Sequence, residues 1–202
     1  MRITSPMPVE SLQAHPRHAE GLGISRRAVF LDRDGVINQV VFRDGLPGSP
    51  RHLREFMLEP GVGDALELLC CGGFRMFVVT NQPDLARGLL RPGDHEAMVA
   101  RLRDQLPMLE GFAVCPHDDR HACSCRKPRP GLLLTLCRQE NLEMASCWMI
   151  GDSARDTEAA RLAGCRSILL ERGYNREACA DFRTSTLLQA VEIILSLGNG
   201  HN

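Results

Sequence analysis

Ala28-Val29-Phe30-Leu31-Asp32-Arg33-Asp34-Gly35 is the stretch whose reading decides the fold: four apolar residues run into two carboxylates and a glycine, with Val36-Ile37-Asn38 behind them. A short, unbroken apolar run suits a strand buried on both faces of a parallel sheet. Its abrupt polar end suits the carboxyl edge of such a sheet, where strand ends face a crevice and ligands bind. Two carboxylates two residues apart fit metal-assisted phosphoryl chemistry. One attacks phosphorus or binds a hard cation through oxygen, and the other moves a proton to or from the leaving oxygen. An Asp-x-Asp pair also arises in solvated turns of a chain with 25 acidic residues, so the surrounding sequence must decide.

Outward from this stretch, strands and helices alternate. Residues 38–60 carry Gly45, Pro47, Gly48, Pro50 and Pro60, which mark an irregular excursion placed over the crevice. Val62, Ala65, Leu66, Leu69 and Cys70 recur at helical spacing, Gly72-Gly73 stops that helix, and Arg75-Met76-Phe77-Val78-Val79-Thr80 reads as a second strand. Residues 94–106 read as a helix with Met98, Leu102 and Leu106 on one side, leading to a short strand near Gly111 to Cys115 and a cysteine-rich loop. Leu132 to Glu140 is the next helix, Cys147 to Ile150 a buried strand ending at Gly151-Asp152, and Ala154 to Ala163 a helix before Gly164. Ser167 to Leu170 is expected to be the last strand, and Leu187, Leu188, Val191, Ile194 and Leu195 give a C-terminal helix one apolar face. The alternation predicts an α/β fold, a doubly wound three-layer sandwich around a central parallel sheet with right-handed crossovers. One domain is expected over residues 26–202, after a flexible extension over residues 1–25 that lacks apolar periodicity.

Composition narrows the function classes. The 202 residues are 44% hydrophobic, with 24 Lys and Arg against 25 Asp and Glu, which suits one domain with a substantial core. A net charge of -1 gives no general attraction for nucleic acid, and aromatics at 4% offer few stacking platforms. No apolar stretch is long enough to span a bilayer and no export pattern opens the chain, so a cytoplasmic protein away from membranes is the expectation, read here as a monomer.

Three further strand ends carry chemistry. Thr80-Asn81 offers a hydroxyl, an amide and backbone N–H groups for the oxygens of a transferring phosphoryl group, although Thr-Asn is also an ordinary turn or cap. Arg126-Lys127 places two cations before Pro128, lysine as a point charge and arginine as a bidentate fork, where a solvated basic pair is the plainer alternative. Asp152, after Gly151, completes an oxygen-rich cation site with Asp32, and Asp156, one helical turn on, orients it; either aspartate can instead cap a helix.

Nine cysteines in a chain of this size without an export signal point to reduced thiols and a metal site rather than a disulfide framework. Cys115-Pro116-His117, five residues, then Cys123-Ser124-Cys125 supplies three thiolates and an imidazole, a complete tetrahedral zinc set of the closed, structural kind. Such a zinc would pin residues 115–125, a loop too polar to pack itself, and hold Arg126-Lys127 at the mouth of the crevice. His121 lies outside the paired spacing, and the other six cysteines fall mostly on apolar faces.

The order of these pieces over about residues 27–170 resembles the haloacid dehalogenase (HAD) superfamily of phosphatases, with Asp32-Arg33-Asp34-Gly35 matching its first motif, Thr80-Asn81 its second, Lys127 its third, and Gly151-Asp152 with Asp156 its fourth. The resemblance implies a HAD-like, Rossmann-type sandwich with a minimal cap. It implies Asp32 as nucleophile through an aspartyl-phosphate, and Asp34 as general acid and then base. It also implies Mg²⁺ held by Asp32, the Asp34 backbone carbonyl and Asp152, with Thr80 and Lys127 stabilising the phosphoryl group.

The Cys-x-His…Cys-x-Cys-Arg-Lys-Pro run resembles the zinc-containing branch of heptose bisphosphate and histidinol-phosphate phosphatases. Leu85-Ala86-Arg87-Gly88 and Arg126-Lys127-Pro128-Arg129-Pro130-Gly131 look more like the heptose type, which implies that Arg126 recognises substrate phosphate. The partner this resemblance implies is a small phosphorylated metabolite: removal of the 7-phosphate of a heptose 1,7-bisphosphate is the leading expectation, with histidinol phosphate second. A zinc-stabilised module without catalysis is the rival from another class. The sequence departs from the heptose pattern at Pro83-Asp84, where Ser-Gly is usual, at Ser153, where a basic residue commonly follows the aspartate, and across Val40 to Arg51. These departures bear on which phosphoester fits.

Overall fold

A computed structural model describes residues 10–11 and 25–198. The deciding stretch forms β2 (Ala28–Leu31), the middle of a seven-stranded sheet. Its four residues are fully buried, and they alternate between two cores. Val29 and Leu31 point to one side of the sheet, and Ala28 and Phe30 to the other, so an unbroken apolar run serves both faces.

From β2 the chain crosses through helix α1 (Val62–Cys71) to strand β5 (Arg75–Asn81), which pairs parallel with it. A one-turn helix α2 (Pro83–Ala86) and the longer α3 (Pro92–Gln105) lead to β6 (Gly111–Cys115), parallel to β5. The chain then returns through α4 (Gly131–Gln139) to β7 (Trp148–Gly151) on the opposite side of β2. Helix α5 (Ala154–Ala163), β8 (Arg166–Leu170), β9 (Phe182–Thr184) and α6 (Leu187–Gly198) complete it. Six strands run parallel, in the order β6-β5-β2-β7-β8-β9. Progression reverses direction at β2, and an open α/β sheet puts its ligand crevice at such a switch point, outside the carboxyl ends of the strands.

Helices α1, α3 and α6 cover one face through Leu66, Leu69, Met98, Leu102, Val191 and Ile194, while α4 and α5 cover the other through Leu133, Leu136, Ala159 and Ala160. The expected three-layer sandwich is therefore formed. Two details of the expectation are corrected. Ser167 to Leu170 does not end the sheet, because Phe182–Thr184 adds β9 parallel to β8, with the Phe182 ring 5.8 Å from that of Trp148. Residues 38–60 are not wholly irregular. They hold an antiparallel hairpin, β3 (Val41–Arg43) and β4 (Leu46–Gly48), turned by Asp44-Gly45 with both residues at positive φ, which is what a tight two-residue hairpin loop demands.

Within the expected extension, Glu10–Ser11 forms β1, antiparallel to β6 at the sheet edge; residues 1–9 and 12–24 lie outside the described residues. No helix among the described residues is long and apolar enough to cross a membrane.

Candidate active site

Beyond the carboxyl ends of β2, β5 and β7, a cavity of about 410 Å³ is lined by Asp32, Asp34, Thr80, Asn81, Lys127, Asp152 and Asp156, with Val40, Pro47, Gly48 and Ser49 of the hairpin segment on one wall. Three sequence-distant motifs thus meet because three adjacent parallel strands end together.

Glycine makes the approach possible. Gly35 has φ +82, and a Cβ there would lie 2.0 Å from Asp152 Oδ2; at Gly151 a Cβ would lie 2.2 Å from the Asp156 Cβ. A side chain at either position would drive the carboxylates apart.

Lys127 sits on the floor rather than at the expected mouth, only 2% exposed. Its Nζ lies 3.0 Å from Asp32 Oδ1 and 2.5 Å from Asp156 Oδ1, and donates to the Val79 carbonyl at 2.7 Å. Burial alone would depress this ammonium, but the Asp156 and Asp32 carboxylates outweigh it and hold Lys127 above its usual range. Asp156 spends its other oxygen on Ser153, accepting from the backbone N–H at 3.0 Å and the hydroxyl at 2.6 Å. With Ser153 as N-cap and Asp156 as third helical residue, this is a capping box, so Asp156 caps the helix as well as contacting Lys127.

Asp34 accepts from four side chains: Arg33 (Nε 3.1 Å, Nη2 3.0 Å), Asn38 Nδ2 (2.9 Å), Ser49 Oγ (2.8 Å) and Gln82 Nε2 (2.8 Å). Burial works to raise this carboxyl, yet the Arg33 charge and the hydrogen bonds together hold it below the usual range. Gln82 also donates to Thr80 Oγ1 at 2.9 Å, which leaves the threonine hydroxyl hydrogen available to a ligand. Arg33, Gln82, Asn38 and Ser49 were not singled out in the sequence. The signal for the first two was adjacency to a motif residue.

A cation fits the remaining carboxylates. Asp32, Asp152 and Asp156 each offer an oxygen within a 4.8 Å cluster. Burial, then repulsion by Asp156, raises Asp32 well above an ordinary carboxyl, and the same two causes push Asp152 up to about 7. The nearby Lys127 ammonium leaves net negative charge buried, which an oxygen-seeking divalent ion would offset. Since Asp156 already holds Lys127 and Ser153, Asp32 and Asp152 are the carboxylates left for it.

The other metal centre is as the spacing predicts. Cys115 at the end of β6, His117, Cys123 and Cys125 cluster with Sγ–Sγ separations of 3.7 Å (Cys115–Cys123) and 3.3 Å (Cys115–Cys125), and His117 Nδ1 at 3.7 Å and 3.3 Å from Cys115 and Cys125. Tetrahedral zinc with bonds near 2.0–2.3 Å sets ligand atoms roughly 3.3–3.8 Å apart, so the four fit zinc. His121 stays outside, its Nδ1 2.8 Å from Asp118 Oδ1.

Two of the expected phosphate-binding residues make contacts within the protein. Arg126 is not among the residues lining this cavity: its Nε donates to Asp119 Oδ1 at 2.8 Å and its Nη1 to the His117 carbonyl at 3.3 Å, so the guanidinium braces the cysteine loop. Asn81 lines the cavity, but its amide is engaged by the Lys127 backbone. Of the departures at Pro83-Asp84 and Ser153, Asp84 ties Arg51 of the covering segment by a 2.7 Å ion pair to Nε.

Comparison with known proteins gives the family. The HAD-hydrolase-like family model matches residues 124–190. The crystal structure of D,D-heptose 1,7-bisphosphate phosphatase from B. bronchiseptica, complexed with magnesium and phosphate, superposes with a TM-score of 0.74 at 29% identity, covering 85% of this chain and 99% of that one. Fold and site together define a HAD-type phosphoric monoester hydrolase. D-glycero-beta-D-manno-heptose-1,7-bisphosphate 7-phosphatase of Rhodopseudomonas palustris is 38% identical over 150 residues (69% of this chain, 80% of the relative), and its Escherichia coli counterpart 35% over 156 (72% and 78%). A relative named for the alpha anomer, from Mycobacterium tuberculosis, is also 38% identical over 150 residues (69% and 77%). The chain belongs to the heptose-1,7-bisphosphate 7-phosphatase family.

Proposed function

We propose that the chain removes the 7-phosphate of a D-glycero-D-manno-heptose 1,7-bisphosphate in a Mg²⁺-dependent reaction and leaves the anomeric phosphate in place. The observation that carries this reading is the convergence of Asp32, Asp34, Thr80, Lys127 and Asp152 on one cavity, in a chain of this family.

Asp32 is the nucleophile. Its carboxylate attacks phosphorus in line with the C7–O bond, and Asp34 delivers a proton to the departing sugar oxygen. Asp34 then takes a proton from the water that cleaves the aspartyl-phosphate. Lys127 and the Thr80 hydroxyl stabilise the charge that grows on the phosphoryl oxygens. Bound Mg²⁺, held by Asp32, Asp152 and the Asp34 backbone carbonyl, supplies charge neutralisation at that phosphoryl group. Asp34 is held ionised by its four donors, so its acid step requires substrate or cation to redistribute that network.

Zinc at Cys115, His117, Cys123 and Cys125 is structural and fixes the loop that leads to Lys127. The same reading assigns residues 26–202 to one phosphatase domain acting as a cytoplasmic monomer. Nine cysteines outside any disulfide support a reducing compartment.

The test is phosphate release, with Mg²⁺ and after EDTA, from both heptose 1,7-bisphosphate anomers and from histidinol phosphate. Selective, Mg²⁺-dependent loss of one phosphate per heptose bisphosphate is expected. Preference for histidinol phosphate would overturn the substrate assignment.

A further inference from the structure

The turn after β8 puts the chain's one tyrosine against the candidate cation site. The Tyr174 hydroxyl donates to Asp152 Oδ2, and the neighbouring Asn175 Nδ2 donates to the Asp152 main-chain carbonyl at 2.7 Å and to the Leu170 carbonyl at 2.7 Å. Asp152 is therefore gripped by consecutive residues, by its carboxylate and by its backbone. Asn175 is buried, and its Oδ1 accepts from the Arg172 N–H at 2.9 Å, which fixes the turn itself.

The ring of Tyr174 is held from the other side. Phe42 of β3 meets it edge-on, with centroids 6.2 Å apart and planes at 64°, although Phe42 is otherwise 59% exposed on the hairpin. Tyr174 also lines three cavities, among them the one that holds Asp32 and Asp152 and one bounded by Gln39, Phe42, Gly45 and Glu59 beside the hairpin. An exposed phenylalanine at a hairpin costs solubility and gains little in stability unless it has a partner, and here the partner is the residue that orients a metal-binding carboxylate.

We infer that Tyr174 is a positioning residue which orients Asp152 for Mg²⁺ through its hydroxyl, while Phe42, through the Tyr174 ring, couples the hairpin over the crevice to that cation site. The inference rests on the reading of Asp32 and Asp152 as the Mg²⁺ carboxylates. A phenol stays protonated at neutral pH and donates to one carboxylate oxygen, which leaves the other turned toward the ion. Groups that orient metal ligands in this way typically change metal affinity by 10–100-fold when removed.

The experiment measures Mg²⁺ binding to the full zinc-loaded chain by calorimetry, together with the near-ultraviolet spectrum of its one tyrosine. In the wild type, Mg²⁺ should bind and shift the tyrosine band, since the charge on its hydrogen-bond acceptor is partly neutralised. Tyr174→Phe keeps the ring and its Phe42 contact, so it should stay folded with a Tm lowered by no more than a few degrees while Mg²⁺ affinity falls on the order of tenfold. The Mg²⁺ concentration for half-maximal rate should rise by the same factor. Phe42→Ala, which releases the ring but keeps the hydroxyl, should weaken Mg²⁺ in the same direction by a smaller factor. Wild-type Mg²⁺ affinity in Tyr174→Phe would overturn the positioning role, and wild-type affinity in Phe42→Ala would overturn the coupling. A wild-type chain that binds no Mg²⁺ at all would refute the cation site itself and this inference with it.

Discussion

Asn81 clasps Lys127 by its peptide group: the side-chain amide donates to the Lys127 carbonyl at 3.0 Å, and the Lys127 N–H donates to Asn81 Oδ1 at 3.1 Å. The two residues are 46 apart in sequence, so this pair of hydrogen bonds locks the end of β5 to the segment leaving the cysteine loop and sets where the Lys127 ammonium meets Asp32. Asn81→Ala should cost about 1–3 kcal/mol of stability from two lost, partly buried hydrogen bonds. It should also lower kcat by roughly tenfold or more through displacement of the ammonium. Paired melting curves and rates check this; an unaffected kcat would detach Asn81 from Lys127 placement.

Asp34 as proton donor predicts a dependence on the leaving group. Asp34→Asn should lower turnover of a sugar phosphate by about 10²–10⁴-fold, and that of an aryl phosphate with a good leaving group far less, because the latter departs without a proton. Equal losses on both substrates would assign Asp34 a role other than acid catalysis.

The buried carboxylates predict an inverted pH response of the metal-free chain. Burial, then Asp156, raises Asp152 to about 7 from an ordinary 3.8. Between these values the native state binds a proton that the unfolded state has released, so stability falls as pH rises through the window and returns as pH drops. In EDTA, Tm should rise as pH is lowered from about 8 to about 6, and saturating Mg²⁺ should flatten the trend because the ion replaces the proton. The same slope with and without Mg²⁺ would contradict a cation at Asp152.

Zinc removal should disable the site from a distance. Cys125 is two residues before Lys127 and is buried at the sulfur cluster. Cys125→Ser should lose bound zinc, measured as metal per chain, lower Tm by several degrees and reduce turnover even at saturating Mg²⁺. Full activity in a zinc-free preparation would show that the loop holds Lys127 without metal.

Much of this was legible in the sequence, for physical reasons that differ by element. The buried parallel strands were legible because both faces are apolar, and a run such as Val29 to Leu31 has no other comfortable place. The cysteine and histidine set was legible because four ligands crowd into eleven residues. β9 was not, because Phe182–Thr184 is three residues long with only Thr184 buried, too little for any periodicity. The hairpin had a signal, Asp44-Gly45, that the surrounding prolines and glycines obscured. The contacts of Arg126 with the Asp119 carboxylate and the His117 carbonyl were not legible, because they depend on how the cysteine loop folds back on itself. Tyr174 lies at a strand end on the same carboxyl edge, so topology pointed to it although no motif did.

The central claim is that Asp32 attacks phosphorus, and the most direct test is single-site replacement of its nucleophilic oxygen. Asp32→Asn, with zinc retained and an unchanged circular dichroism spectrum, should release no phosphate above background from heptose 1,7-bisphosphate at saturating Mg²⁺. Turnover at the wild-type rate by that variant would contradict the account.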